Sequence, residues 1–510
     1  MKKIFFTSVA ILFLISSLFS QTKEQLEHLD KYYQKSLEEW HVPGMAIAIV
    51  KDNKIIFSKG YGYANLKNKT KVDGNTLFAI ASNSKAFTSS AIAQLVEQGK
   101  IKWTDKVIDY LPYFKLYDDY TTNNTTIEDL LCHRNGLKTF SGDLLWYGTN
   151  LTPKEIIKAQ KHLKPIYPFR TQYGYSNIAF IAAGKVLEKV TDTTWVDYVS
   201  THFLKPLKMD RTLTSTNQVS KATNIATPYF YENGKHYDLE WVNWDNMAPA
   251  GALISSVNDY AKWLILNINE GKFEDKTYIS ENNFQNMTTP HTNRMVNKNN
   301  ERIHFKSYGL GWHLNDYQGY KVIGHGGGYD GMISKSGFVP EKKLGIIVLT
   351  NSLNWTASAM VNKTLDVLLA DKLDAKDWSK DWLAIKENND KIAFNKVKES
   401  DALRHKIQKK HLPLKSFIGT YKDIMYGTVT VTKKGNRLHF SMDNTPIFNA
   451  DLKHWNGTIF TFRFALNLSS LPQGKLWFDM DKNANITTLH INVPNNDFFF
   501  DEFTFEKVNE

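Results

Sequence analysis

Three short segments of this chain combine residue types able to perform acyl transfer. The first is Ser82-Asn83-Ser84-Lys85, which opens a run of helical character. Residues three apart at a helix start share a face, so the Ser82 hydroxyl and the Lys85 amine can meet. A serine hydroxyl is a poor nucleophile without a neighbouring base. Lysine serves as that base only when its pKa is depressed, which burial and the positive end of a helix both favour. The plainer alternative is a Ser82 that caps the helix and a Lys85 in solvent, because Ser-x-x-Lys recurs by chance. The second segment is Tyr175-Ser176-Asn177, inside Tyr173-Gly174-Tyr175-Ser176-Asn177. A phenol near cationic groups can shuttle a proton, and an asparagine amide can orient a substrate amide. An aromatic turn followed by a helix cap explains the same residues equally well. The third is Gly324-His325-Gly326-Gly327-Gly328-Tyr329, where successive glycines let a backbone approach a ligand closely. It lacks the lysine and spacing of a phosphate loop and does not fit the dinucleotide fingerprint. His325 as a metal ligand would need a second histidine or carboxylate at ligand spacing, and none is evident. No metal and no organic cofactor are expected.

The elements that must hold these segments are readable from periodicity. Met45 to Val50 is a short apolar run, followed by the turn-like Lys51-Asp52-Asn53-Lys54 and then Ile55-Ile56-Phe57, the pattern of a β-hairpin. From Ser82 to Gly99, Phe87, Ala91, Leu95, Ile92 and Val96 recur at helical spacing, with Gly99 as a stop. Asn177 to Val190 and Val257 to Leu266 read as helices, Leu344 to Thr350 as a strand, and Val361, Leu365, Leu368 and Leu369 as a last helix. Strands at both ends with helices between predict an α+β domain whose sheet is closed by its two ends. Around Asp371 to Leu412 the composition turns charged, which predicts a linker over 374–412 carrying helical turns. Beyond Pro413, Val429 and Val431, Leu438-Phe440-Met442 and Leu476-Phe478-Met480 alternate with polar residues. Turn signals separate these runs, so 413–510 reads as a small antiparallel β-barrel or sandwich.

Composition narrows the function class. The chain has 510 residues, 42% hydrophobic and 13% aromatic, enough for a large core. The segment 1–20 reads as a secretory signal, with Lys2 and Lys3 before the apolar run Ile4 to Phe19. Thr7, Ser8, Ser16 and Ser17 break that run, which argues against an uncleaved anchor and for an exported, periplasmic or secreted protein. Cys132 is the single cysteine, so no internal disulfide forms, and its apolar neighbours predict a buried thiol. A net charge of +11 is spread without a basic stripe, which is a solvated surface rather than a nucleic-acid site.

In order and spacing the three segments resemble the β-lactamase and penicillin-binding-protein superfamily. The closest branch is similar to the class C β-lactamase-related serine hydrolases, which include D-peptidases, carboxypeptidases and esterases. Further stretches carry the resemblance over Gln21 to Leu373: His41-Val42-Pro43-Gly44-Met45, Leu130-Leu131-Cys132-His133-Arg134-Asn135-Gly136-Leu137, Pro249-Ala250-Gly251-Ala252-Leu253, Tyr308-Gly309-Leu310-Gly311-Trp312 and Gly331-Met332. The region around Phe417-Ile418-Gly419-Thr420-Tyr421 and Leu452-Lys453-His454-Trp455 resembles a lipocalin-like β domain. In relatives that domain sits near the cleft or mediates assembly, so a homo-oligomer is one expectation and a stabilising appendage another. The resemblance implies a β-lactamase/transpeptidase-like sheet flanked by helices. It also implies roles: Ser82 as nucleophile, Lys85 and Tyr175 in proton transfer, Asn177 on the substrate amide, and His325 at Tyr175 or a substrate carboxylate. The backbone N–H groups of Ser82 and Gly328, in the Gly326-Gly327-Gly328 run, would hold the oxyanion, such donors being worth roughly 3 to 4 kcal/mol each. Two departures stand out. Cys132 replaces a threonine, and His325 replaces the lysine usual in β-lactamases proper, which turns the expectation toward small peptides or esters, with a β-lactamase or a slowly acylating penicillin-binding or sensor protein as the alternative.

Overall fold

Asp52 and Asn53 both take positive φ (49° and 64°) and join strand β1 (Gly44–Lys51) to β2 (Lys54–Asn65). Two left-handed residues in a two-residue loop match the right-handed twist of the strands they connect, so the expected hairpin forms. The computed structural model describes residues 22–297, 302–370, 373, 376–406, 412–465 and 471–508. The leader-like segment 1–20 lies outside the described residues.

The hairpin belongs to a nine-stranded antiparallel sheet. Its other strands are β3 (Thr70–Lys71), β4 (Thr292–Arg294), β5 (Lys306–Tyr308), β6 (His313–Tyr317), β7 (Tyr320–Tyr329), β8 (Met332–Val339) and β9 (Leu344–Thr350), in the order β4-β5-β6-β7-β8-β9-β1-β2-β3. β1 pairs with β9, Ile47 opposite Val348, so the N-terminal hairpin closes a sheet made by the end of the domain. Period-two alternation divides the central strands between two cores. Met45, Ile47, Ile49, Ile346 and Val348 pack with Leu29, Tyr33 and Leu37 of helix α1 (22–39). Ala46, Ala48, Val50, Ile347 and Leu349 face the opposite way, toward the second core. That core holds Phe87 of α2 (Ser84–Glu97), Ile178 of α3 (Asn177–Thr191) and Leu264 of α4 (Val257–Ile268). Phe87 stacks on Trp263 with ring centres 3.8 Å apart. Each such fully buried side chain contributes about 2 kcal/mol by leaving water.

Helix α5 (Thr356–Ala370) is followed by α6 (Trp378–Lys406), one helix of 29 residues where the sequence suggested only helical turns. Its first turn is anchored by Trp378 Nε1 donating to Asp366 Oδ2 at 2.7 Å and Trp40 Nε1 donating to Ser379 Oγ at 2.9 Å. Eight strands then close an antiparallel barrel: β10 (Gly419–Asp423), β11 (Gly427–Lys434), β12 (Arg437–Met442), β13 (Asn449–Asn456), β14 (Ile459–Phe462), β15 (Gly474–Met480), β16 (Ile486–Asn492) and β17 (Phe505–Lys507). Val429, Val431, Leu438, Phe440, Leu476 and Phe478 fill it, as their alternation predicts. Met480 departs from that pattern. It is exposed at the end of β15, where the register shifts between Asp479 and Met480.

Candidate active site

Ser82 stands in a single 3₁₀ turn, Ala81–Asn83, immediately before α2. The helical periodicity alone would start the helix at Ser82 itself. Ala81 takes φ of +45°, a conformation that costs a residue with a Cβ. Buried Asn83 secures the turn: its Oδ1 accepts from Tyr260 and Ser336 at 2.8 Å each, and its Nδ2 donates to Ser334 Oγ at 2.9 Å. The result is a half-buried serine held on a rigid corner.

One turn on, Lys85 is fully buried. Its Nζ donates to Asn177 Oδ1 at 2.7 Å, Ala250 O at 2.8 Å and Ser82 Oγ at 3.1 Å. Burial pushes its pKa well below the ordinary 10.5, with the Asp143 charge pulling the other way. A neutral amine there can turn its lone pair to the Ser82 proton. Asn177 opens α3 behind the Ser176 cap, and its Nδ2 donates to Asp143 Oδ2 at 2.7 Å. The acid thereby fixes which end of the amide faces Lys85.

The Tyr175 ring lies 4.7 Å from Lys85 Nζ and 4.2 Å from the His133 ring. Burial raises its pKa well above 10, against a hydrogen bond with Ser82 that lowers it. The phenol is thus a proton donor beside Ser82. His325 is almost fully buried on β7, and its Nδ1 lies 2.5 Å from the Gly326 carbonyl. That carbonyl can only accept, so Nδ1 carries the proton. Nε2 then accepts from the Tyr308 hydroxyl at 2.9 Å. Burial and the charges of Lys85, Lys335 and Arg294 hold the ring neutral. Its ring centre is 6.2 Å from that of Tyr175, one layer behind the phenol, with both nitrogens already engaged.

Strand β6 covers β7 only from Tyr320 to Gly324, so among the described residues the same edge from His325 to Tyr329 is unpaired. This open edge runs against the Ser82 turn. A Cβ on Gly327 would lie 2.2 Å from Ile80 O and 2.9 Å from Ser82 N, whereas Gly328 is exposed. Lys85 thus bonds both Ser82 and Asn177, the Tyr175 ring lies against the Lys85 amine, and Gly327 packs against the Ser82 turn. Sequence reasoning missed Asp143, for which no local signal exists, and the partner roles of Ala250, His133 and Tyr308, which lay in stretches noted only for resemblance. Cys132 is buried, its thiol pushed up to about 12 by desolvation. Among the described residues no three His, Cys, Asp or Glu side chains converge as metal ligands.

Asp143 gives the site a measurable pH signature. Burial raises its pKa from 3.8 to about 8, so between those values the folded chain keeps a proton that the unfolded chain has released. Stability from this group is present below its unfolded pKa and is lost as pH rises through the folded one. Asp143→Asn removes that loss. Its unfolding free energy relative to wild type should rise by up to about 1.4 kcal/mol per pH unit from about pH 5 to about pH 8. Denaturant titrations across this range check it, and parallel pH profiles for the two proteins would refute it.

Known proteins share both parts of this chain. A family model described as Beta-lactamase matches residues 29–371, and one described as Domain of unknown function (DUF3471) matches residues 403–507. The chain is 28% identical over 438 residues to "Unguisins hydrolase ungD'" of Aspergillus campestris (strain IBT 28561), covering 81% of this chain and 80% of that protein. It is similar in fold to the octameric penicillin-binding protein homologue from Pyrococcus abyssi, with a TM-score of 0.62, 22% identity, and 94% of this chain and all of that one covered. A D-stereospecific amidohydrolase from Streptomyces sp. matches with a TM-score of 0.55 and 22% identity, over 67% of this chain and 99% of the other.

Proposed function

Because the chain belongs to the β-lactamase family and is a serine hydrolase, we propose that Ser82 forms an acyl-enzyme with amide or ester bonds of small peptides or esters. The observation that carries this reading is the buried Lys85 amine, depressed in pKa and hydrogen-bonded to Ser82 Oγ. In the proposed cycle the Ser82 oxygen attacks the carbonyl carbon as Lys85 takes the hydroxyl proton. The backbone N–H groups of Ser82 and Gly328 receive the oxyanion. Tyr175 then gives a proton to the departing nitrogen or oxygen, and a water, deprotonated by the same pair, releases the acid. Export, expected from the N-terminal segment, is part of the proposal.

Substrate preference is argued from His325. A lysine in its place would bring a fixed charge to a substrate carboxylate, whereas this imidazole is neutral and has both nitrogens occupied. Neutral esters and amides should be handled at least as well as anionic lactams. The test is kcat/KM on short esters, D-amino-acid peptides and a chromogenic cephalosporin, in wild type and His325→Lys. Wild type should favour the esters or peptides, and the variant should shift toward the cephalosporin by about tenfold, the worth of one weak charge-assisted contact. Cephalosporin turnover in wild type far above every ester and peptide would make the protein a β-lactamase instead.

A further inference from the structure

The barrel region packs on segment 138–150 of the hydrolase domain, with a second contact from Arg463 to Glu232 at 3.2 Å. Phe498 sits 4.4 Å, ring centre to ring centre, from Tyr147, and the Lys138 ammonium lies 3.4 Å over the Phe499 ring. Asn150 N donates to Asn444 O at 2.9 Å, and Ile447 fills the space above Gly148. At the centre of this contact is a carboxylate. Glu502 Oε1 accepts from Ser141 Oγ at 2.5 Å, and Oε2 accepts from Gly142 N and from the Tyr426 hydroxyl at 2.9 Å each.

We propose that Glu502 is a positioning residue for the catalytic amine, fixing through Ser141 and Gly142 the turn from which Asp143 holds Asn177 on Lys85. The inference rests on the acyl-enzyme reading of Ser82. Hydrogen bonds and one peptide bond form the path: Glu502 holds Ser141 and Gly142, the chain continues to Asp143, Asn177 donates to Asp143 at 2.7 Å, and Lys85 donates to Asn177 at 2.7 Å and to Ser82 at 3.1 Å. Asp143 follows Gly142 directly, so any shift of that peptide moves the acid with it. Gly142 is left-handed (φ +79°), and a Cβ there would strike Leu163 and Ile178 at 2.5 and 2.8 Å. One side of the turn is thus set by packing on α3 and the other by Glu502.

A domain contact meant only to stabilise would do better without this group. Burying a carboxylate costs several kcal/mol before its hydrogen bonds are counted, and an apolar side chain of like size avoids the cost. Burial does raise the Glu502 pKa, the visible sign of that cost. What three directed hydrogen bonds add is a fixed place for a backbone, and placement is what the amine requires. The barrel is on this account part of the catalytic machinery rather than an appendage.

The test uses the full chain with p-nitrophenyl acetate as substrate and a fluorophosphonate to time Ser82 acylation. Glu502→Ala should lower kcat and the labelling rate by about 100-fold, the cost of misplacing a catalytic group by an ångström, while KM changes little. Glu502→Gln keeps an oxygen for Gly142 and Tyr426 and offers an amide to Ser141, so it should recover to within about threefold of wild type. The proposal is overturned if the alanine variant acylates at the wild-type rate, if its loss falls in KM alone, or if glutamine is as slow as alanine. Should Glu502→Ala fail to fold, Ser141→Ala removes a single partner and should still lower kcat about tenfold; wild-type kcat there overturns the proposal. Continued labelling of Ser82→Ala would instead defeat the acyl-enzyme reading, a separate failure.

Discussion

Ser82→Ala should abolish turnover and fluorophosphonate labelling, while the protein should unfold at nearly the wild-type denaturant concentration. Loss of a nucleophile in a serine hydrolase costs on the order of 10⁴- to 10⁶-fold in kcat. The cost in stability is small because Ser82 supplies no side-chain cap to α2 and its hydroxyl bonds only Lys85 and Tyr175 among the described residues, so roughly 1–2 kcal/mol is at stake. Lys85→Ala and Tyr175→Phe should each lower kcat by orders of magnitude, with the double variant falling far short of the product of the two. Both groups face the same oxygen, and residues that act as one unit are non-additive. The measurements are single-turnover labelling and kcat for the four proteins of the cycle. An alanine variant that keeps most of its activity would remove Ser82 from the mechanism. Fully additive losses would show that Lys85 and Tyr175 do not share a proton path.

Gly327→Ala should also be damaging, though less so than loss of the nucleophile, without touching a reactive group. The new Cβ would lie 2.2 Å from Ile80 O, 2.5 Å from Ser334 Oγ and 2.9 Å from Ser82 N. Ile80 O and Ser82 N are backbone, and Ser334 is fixed by its own bonds to Ile80 O and Asn83. None can retreat cheaply, so β7 must move away from the nucleophile turn by about 1 Å. Such a shift costs about 100-fold in kcat, and forcing a methyl into a packed core destabilises by roughly 1–3 kcal/mol. Gly326→Ala is the contrast. Its Cβ meets Lys335 Cδ at 3.5 Å, an ordinary contact, so that variant should keep the wild-type unfolding midpoint. Urea unfolding and kcat for both variants check the pair. Wild-type kcat in Gly327→Ala would mean that β7 does not set the oxyanion geometry.

Much of the local architecture is legible in the order of residues alone. Ser82 and Lys85 are three residues apart, and a helix start puts them together whatever surrounds it. The Asp52-Asn53 turn, the alternation of Met45 to Val50, and the runs around Phe440 and Phe478 each carry their own period, so hairpin, buried strand and barrel follow from neighbours in sequence. The exceptions are also local: an irregularity at Met480 and a strained Ala81 break a period without leaving a trace in it.

What only the tertiary structure decided is which distant group completes each short motif. Asn177 could orient a substrate or hold a lysine, and Asp143, 34 residues earlier, aims its oxygen at Lys85. His325 could assist Tyr175, and Tyr308 occupies its free nitrogen from β5, two strands away. Glu502 bonds Ser141 across 361 residues, on a loop with no chemistry-bearing pattern of its own. A periodicity encodes which face of an element is buried. A single hydrogen bond between remote loops repeats nowhere, so residue types alone supply the reactive groups and the packed chain supplies their protonation, their orientation and their partners.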